Sequence, residues 1–258
     1  MSHTLSASDR AAALARAASH ATETFSDPRW PACLAEVLRD LDATWQESAQ
    51  VCADVAWQAR ATGHSALGVL HPDQVTGHGP TPVIGRTYRH LYLNALRYDF
   101  RCRTLESLVS RVPLSVLNPD PYSWALSAFA RLGQSRSDGI AVMERVLDTA
   151  ADHPGTLHVL LHGVWLGGLL PRRAHWLLAL VDRLPDGGAG DPIALFRKSS
   201  ALRSLGRYPE ALDTIDHALE LLPPGELAVH ADLVRERSLV TAAHDLTQLA
   251  LPARKVAP

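Results

Sequence analysis

Two histidines spaced four residues apart, His158 and His162, form the pair in this sequence whose spacing best suits chemistry. On a helix this spacing puts both imidazoles on one face, about 6 Å apart, where they can share a metal ion, and His175 is a third candidate ligand. A chain with 13 histidines in 258 residues also produces such a pair by chance. Hydrogen-bonding, pH-sensitive and plain packing roles therefore remain open for the two rings, and we expect neither a bound metal nor a cofactor.

Two further segments are candidates for binding. The Gly- and Pro-rich stretch 71–82 gathers His71, Asp73 and His78, which suits a ligand cluster, a lid or a simple connector. Residues 86–111 carry six arginines against two acids. Such a basic segment favours an acidic partner, or else a solvated face whose arginine stems cover apolar neighbours.

The motifs that mark common enzymes are missing from the sequence. It contains no Gly-x-Ser-x-Gly, no phosphate-binding loop, no dinucleotide glycine pattern after a strand, and no His-Glu-x-x-His. Their absence lowers the expectation of catalysis without excluding it. We therefore carry two hypotheses forward, a binding module and an enzyme or small-ligand receptor.

Composition indicates a folded chain that binds neither nucleic acid nor membranes. Hydrophobic residues make up 47% and charged residues 20%, and the net charge is −2. Cys33, Cys52 and Cys102 have no Cys-x-x-Cys spacing, which favours buried thiols in a reducing compartment. The longest apolar run, 156–170, is only 15 residues, too short to span a bilayer. Because the N-terminus also lacks an apolar core, we expect a cytoplasmic protein.

The elements that must position these residues are helices, and the clearest of them lie in residues 192–225. Apolar residues recur at helical spacing on both sides of Gly206, and Pro223-Pro224-Gly225 closes the stretch. This pattern predicts a helix hairpin with one buried stripe on each arm. Further helix pairs are predicted at 83–97 and 100–112, at 119–132 and 139–151, and at 154–167 and 172–184.

The hairpin resembles the tetratricopeptide repeat. The residues that carry the resemblance are Gly206, Tyr208, Glu210, Ala211, Ala218 and Pro223. Turns at Gly63, Arg97, Gly133, Gly168 and Gly206 recur at a similar period of about 34 to 38 residues. The resemblance implies an all-α, right-handed superhelix of stacked hairpins. We expect an N-terminal helical cap at 1–70, the loop at 71–82, the repeat array at 83–244 and a disordered tail at 245–258.

In the resembled family, the first helix of each pair lines a concave groove. This implies groove-lining roles for Trp57, Arg60, Thr87, Leu91, Asn94, Ser123, Ser127, Arg131, His158, His162, Trp165, Phe196, Ser200, Arg203, His230 and Arg237. Such a mixture of rings, hydroxyls and guanidinium groups suits a peptide, a partner protein or a small anionic ligand. The alternative is an enzyme or receptor of a specialised metabolic pathway that uses the groove as its pocket, with a metal at His158 and His162. The sequence gives no oligomeric state.

Overall fold

The structure, a computed structural model, describes residues 6–150, 153–168, 170–223 and 225–250. These residues form 14 α-helices and two short 3-10 helices, and they contain no β-strand. The predicted all-α class is therefore confirmed. The chain divides into two compact units, Met1–Val159 and Leu160–Pro258.

The helices follow one another with short connections. The first unit holds α1 (Ala7–Glu23), α2 (Trp30–Asp40), α3 (Trp45–Ala61), α4 (Pro72–Thr76), α5 (Pro82–Tyr98), α6 (Cys102–Val109), α7 (Leu114–Leu117), α8 (Pro121–Gly133) and α9 (Asp138–Ala150). Helix α10 (Pro154–Leu166) crosses from the first unit to the second. The second unit continues with α11 (Pro171–Val181), α12 (Pro192–Ser204), α13 (Tyr208–Leu221) and α14 (Leu227–Ala250).

Polar residues at the helix starts fix several of these boundaries. Thr44 and Glu47 form a capping box at α3, in which each side chain bonds the other's backbone N–H. Asp191 accepts hydrogen bonds from the N–H groups of Ile193 and Ala194 in the first turn of α12, both at 2.9 Å. These bonds satisfy donors that a helix cannot satisfy internally, so the chain enters each helix at a defined residue.

Helix α5 lies at the centre of the first unit. It packs against α2, α3, α4, α6 and α8, and side chains on several of its sides are buried. Thr87, Leu91 and Asn94, predicted to line a groove, have no exposed surface. That prediction is wrong for these three residues, because a helix covered on several sides presents no concave face there.

The stretch 71–82 packs onto α5 instead of separating a cap from an array. Part of it is helical, as α4. Gly85 of α5 lies so close to this stretch that a Cβ atom there would be 2.3 Å from the carbonyl oxygen of His78. The missing side chain of Gly85 is therefore what admits the loop. The division of the chain into two compact units falls between residues 159 and 160.

The hairpin predicted at 192–225 corresponds to α12 and α13. Gly206 follows α12 with φ of +73°, and its N–H donates to the carbonyl of Arg203 at 3.0 Å. The N–H of Arg207 donates to the carbonyl of Leu202 at 2.9 Å. These two bonds form a Schellman motif, which satisfies the last carbonyls of α12 and turns the chain back into α13.

The second unit buries two apolar clusters between α12, α13 and α14, which we together call the seam. Ile215, Ala218 and Leu233 have no exposed surface and pack with Leu195. A second cluster joins Leu202, Ala211 and Val240. Ala211 marks a close approach of helix backbones, since the hydroxyl of Ser199 donates to its carbonyl at 2.9 Å.

Helix α14 has an apolar side that the seam does not cover. Of the ten large hydrophobic side chains that are strongly exposed in the described part of the chain, five belong to α14. We call the side opposite Leu233 and Val240 the outer face of α14. It consists of Leu227, Ala231, Val234, Arg235, Ser238, Ala242, Asp245, Leu246 and Leu249, all exposed.

The last helix runs to Ala250, six residues beyond the end predicted for the array at 244. The rest of the predicted tail, 251–258, lies outside the described residues, as does Pro224 of the predicted Pro-Pro-Gly stop. No helix among the described residues combines the length and apolarity needed to cross a membrane.

Candidate functional site

A buried polar cluster in the first unit is organised around Asp120, the residue that caps α8. Its carboxylate accepts the N–H of Ser123 at 3.2 Å and the hydroxyl of the same serine at 2.7 Å. Arg89 of α5 donates to it from Nη2 at 3.1 Å, and His90 lies 3.0 Å away through Nε2. Asp120 and Arg89 are 2% exposed and His90 is 0% exposed. Sequence reasoning missed this carboxylate, although Asp-Pro-x-Ser is a recognisable helix start.

Burial and the neighbouring groups of this cluster determine the protonation states of Asp120 and His90. Burial alone would raise the pKa of Asp120, but His90, Arg89 and the Ser123 hydroxyl outweigh it, so that pKa lies well below its usual range. Burial also lowers the pKa of His90, against the opposing pull of Asp120. We therefore assign an ionised Asp120 paired with Arg89, and a neutral imidazole whose Nε2–H donates to the same carboxylate.

A second layer of polar contacts extends this cluster along α5. The amide of Asn94 donates to the carbonyl of His90 at 2.9 Å, and its oxygen accepts the hydroxyl of Tyr122 at 3.1 Å. Arg97 also donates to that oxygen at 3.3 Å. Ser123 and Ser127, both predicted groove residues, are 0% and 1% exposed. Asn94, Ser123 and Ser127 therefore belong to the interior, and hydrogen bonds of Asn94 with Tyr122 and of Ser123 with Arg89 link α5 to α8.

Three polar atoms at this cluster have no hydrogen-bond partner among the described residues: Nε of Arg86, Nη1 of Arg89 and Nδ1 of His90. A His–Asp pair of this kind can serve as a general base in an enzyme. Here the imidazole has no exposed surface, and its free nitrogen is enclosed with it. The arrangement accordingly suits a structural role better than catalysis on an external substrate.

Two predicted groove residues of α3 lie on the surface of the first unit. Trp57 is half-buried and meets Tyr98 edge to face, with 5.3 Å between ring centroids. Arg60 lies 6.0 Å from the Trp57 ring and 3.4 Å from the Asp99 carboxylate. These residues form a small aromatic and cationic patch that solvent can reach.

Arg131 and His158, also predicted groove residues of the first unit, are half-buried. Arg131 pairs with Asp138 at 2.8 Å and with Glu106 at 3.7 Å. Its charge is thus balanced inside the protein. The carbonyl of His158 accepts a bond from Arg97 at 3.4 Å.

In the second unit, predicted residues from α10 and α12 come together. The Trp165 ring lies 5.5 Å from the Phe196 ring and 6.2 Å from the His162 ring, measured between centroids. Trp165 and Phe196 are half-buried and His162 is 6% exposed. Aromatic pairs at this distance attract one another, and these two half-buried rings, tilted by 56°, offer an apolar surface. We call Trp165 and Phe196 the aromatic pair.

The remaining predicted residues of the second unit lie on α12 and α14. Arg203 of α12 pairs with the buried Glu236 of α14 at 2.7 Å, and Ser200 is buried at 1% exposed. Ser200 is therefore not a groove residue. Arg237 is exposed and pairs with Asp216 of α13 at 2.5 Å, while His230 is exposed.

Nothing among the described residues groups three or more His, Cys, Asp or Glu side chains into a metal site. His175, the predicted third ligand, is exposed on α11. In the 71–82 stretch, His71 caps α4 and lies 3.3 Å from Asp73, which also pairs with Arg111 at 3.4 Å. These are surface contacts rather than a ligand cluster, since all three side chains are more than half exposed.

A cavity of about 370 Å³ opens in the second unit between the α11–α12 connection, α12 and α13. Three carboxylates, Asp182, Asp186 and Asp213, line it with Lys198 and His217. Its wall is therefore acidic, the opposite of what an anionic ligand requires. Sequence reasoning had not identified these five residues.

Comparison with known proteins finds no matching family model, no similar curated protein and no similar solved structure.

Proposed function

We propose that this protein is a non-enzymatic binding scaffold of tetratricopeptide-like hairpins that recognises a segment of a partner polypeptide. The observation that carries the proposal is the aromatic pair. Trp165 and Phe196 come from α10 and α12, the first helices of two consecutive predicted hairpins, and their rings are in contact. In a stack of such hairpins, first helices line the concave side, so a shared aromatic surface between them is where a peptide would lie.

The packing of α12 supports the repeat arrangement. This helix packs against its hairpin partner α13 and also against α14, the helix that follows the hairpin. Arg203 and Glu236 form an ion pair across that second contact. When hairpins stack in series, the first helix of one hairpin is expected to contact the helix that follows that hairpin. A right-handed superhelix built from these hairpins is part of the proposal.

The arginines favour a peptide over a small anionic ligand. Arg131, Arg203 and Arg237 each pair with a carboxylate of the protein itself. An incoming carboxylate or phosphate would have to displace these partners, and Glu236 is almost fully buried. The aromatic pair, in contrast, offers half-exposed ring surface, and aromatic anchors supply much of the affinity at peptide and protein interfaces.

The test is selection from a displayed library of random peptides against the purified protein, followed by affinity measurement of the enriched sequences. Trp165→Ala and Phe196→Ala should each weaken binding by about 2 kcal/mol, roughly thirtyfold, because each removes a central ring. Trp176→Ala is the matched control, since Trp176 is a half-buried tryptophan on α11 that packs under Arg172.

Circular dichroism melting of each variant separates lost affinity from lost folding. Enriched peptides that bind Trp165→Ala and Phe196→Ala as tightly as they bind the parent would exclude the aromatic pair as the recognition surface. A library that yields no enriched sequence would count against peptide recognition altogether.

The alternative is a small-ligand receptor or enzyme, and the cavity is the observation in its favour. Its three carboxylates outnumber Lys198, the one lysine of the lining, and suit a small cation such as a diamine or a guanidinium compound. A diamine at one hundred times its Kd should stabilise the fold by about 2.7 kcal/mol. Asp213→Asn should reduce that thermal shift, and equal melting temperatures with and without diamine would remove this alternative.

A further inference from the structure

The outer face of α14 has the pattern of a helix that packs on both sides. Leu227, Leu246 and Leu249 are 80%, 68% and 76% exposed, and Val234 is 42% exposed. Surface hydrophobic residues usually occur singly, and a row of them along one helix marks an interaction surface. On the opposite side, Leu233 and Val240 already fill the seam with α12 and α13. From these observations we infer that α14 pairs antiparallel with α14 of a second copy of this chain.

The end of α14 strengthens this inference. All side chains from Asp245 to Leu249 are exposed, so the last described turns of the helix have almost no packing within the chain. Isolated helical turns are marginal in water, and most helical stability in proteins comes from burying an apolar face. A second helix against Leu246 and Leu249 supplies that burial.

The side chains in the middle of the outer face are small. Ser238 and Ala242 occupy successive turns there, one on each side of the level of Val240, and both are exposed. Small side chains let two helix backbones approach closely, as helix pairs with small residues at their crossing do. The larger Val234, Leu246 and Leu249 lie on either side of this central stretch and can cover it from water.

Two charged side chains of the outer face favour a second copy of the chain, in the antiparallel direction, over other binding partners. Arg235 and Asp245 are exposed on the outer face, and neither forms an ion pair or a side-chain hydrogen bond within the described part of the chain. An antiparallel pair centred on Val240 brings Arg235 level with Asp245 of the second copy, because both lie five residues, about 7.5 Å, from the centre. A parallel pair in register would set arginine beside arginine and aspartate beside aspartate, which is repulsive.

The same centre matches the apolar residues. Val234 comes level with Leu246 of the second copy, Ala231 with Leu249, and Ser238 with Ala242. The outer face is therefore complementary to itself, which is the requirement of a two-fold symmetric interface. This surface is separate from the aromatic pair, so the inference stands or falls independently of the proposed function.

The experiment is sedimentation velocity on the full chain over a concentration series. The parent should move from monomer to dimer as concentration rises. Arg235→Asp and Asp245→Arg should each raise the dimer dissociation constant about tenfold or more, because each sets like charges against one another. The double variant Arg235→Asp with Asp245→Arg should restore dimerisation, since the opposite charges are exchanged rather than lost.

Leu246→Asp should abolish the dimer, and Leu114→Asp is its control, because Leu114 is similarly exposed at 62% but belongs to α7. Circular dichroism confirms that each variant keeps its helix content. A parent that sediments as a monomer at every concentration overturns the inference. Single charge reversals that behave like Leu114→Asp, or a double variant that fails to recover, overturn the antiparallel register.

Discussion

Helix α5 in the first unit and the α12–α13 hairpin in the second both pack against several other helices, but they are held in different ways. The interior around α5 contains an ionised carboxylate with a guanidinium group and an imidazole each within hydrogen-bond distance of it. The seam between α13 and α14 is apolar, with Ile215, Ala218 and Leu233 at its centre. A buried ion pair adds little net stability while intact but is costly to break, whereas an apolar seam loses stability in proportion to the volume removed. The two units should therefore fail in different ways.

The largest effect is expected at Asp120, on which the polar interior of the first unit depends. Asp120→Ala should lower the free energy of unfolding by about 3 to 5 kcal/mol, because it leaves Arg89 buried without its counter-charge. Urea denaturation followed by tryptophan fluorescence measures this. Asp216→Ala is the matched control in the second unit, since it removes the partner of the exposed Arg237 and should cost less than about 1 kcal/mol. Equal losses in the free energy of unfolding for Asp120→Ala and Asp216→Ala would show that the Asp120 cluster stabilises the fold no more than a surface ion pair does.

A smaller effect is expected from acid, again in the first unit. Because burial lowers the pKa of His90, the unfolded chain takes up a proton at this residue below about pH 6.5 while the folded chain does not. Stability should therefore fall as pH drops below about 6.5, by up to about 1.4 kcal/mol per unit. The lowered pKa of Asp120 acts in the same direction at more acidic pH.

His90→Gln should flatten this slope between pH 7 and 5, as measured by urea denaturation at a series of pH values. Part of this pH dependence should remain in the variant, because burial lowers the pKa of His153 as well. The exposed His230→Gln serves as the control. An unchanged slope in His90→Gln would show that the imidazole is not held neutral in the folded protein.

The smallest effect is expected at the turn of the hairpin in the second unit. Gly206→Ala should cost about 1 kcal/mol, because φ of +73° is unfavourable for any residue with a Cβ. A Cβ there meets no atom within 4 Å, so the cost is conformational and not steric. Gly190→Ala is the control, with equal space and no positive φ, and should change stability by less than about 0.5 kcal/mol. The same loss of stability for both variants in thermal melting would show that the positive φ of Gly206 is not what the turn requires.

The same contrast explains what the sequence could and could not predict. The α12–α13 hairpin was predictable, because Gly206 and the apolar spacing around Ala211 and Ile215 are local signals. The helical character of the other predicted pairs was predictable for the same reason. The burial of Thr87, Leu91 and Asn94 was not, since it depends on how many neighbours surround α5, and neighbours distant in the chain leave no mark in a local pattern.

The polar residues of the candidate sites show the limit most clearly. Arg89 and His90 resemble residues of a solvated basic face in sequence, and only the position of Asp120, 30 residues later, makes their burial possible. The resemblance to a repeat predicted Trp165 and Phe196 as residues of one groove, but the contact between their rings was not predicted. The intramolecular partners of Arg131, Arg203 and Arg237 were not anticipated, because acids near in space are scattered along the chain.

The thiol of Cys52 offers a way to follow the first unit in time. Cys52 of α3 has no exposed surface, its S–H donates to the carbonyl of Thr87 in α5 at 3.7 Å, and burial raises its pKa. A thiol-specific reagent can reach it only when α3 and α5 separate, so its rate of modification measures how often that separation occurs. Cys33 is only half-buried and should react in the folded state. The modification rate of Cys33 thus reports the intrinsic reactivity of the reagent, and the slower rate of Cys52 reports the opening of α3 from α5. Both rates can be measured without any substitution in the chain.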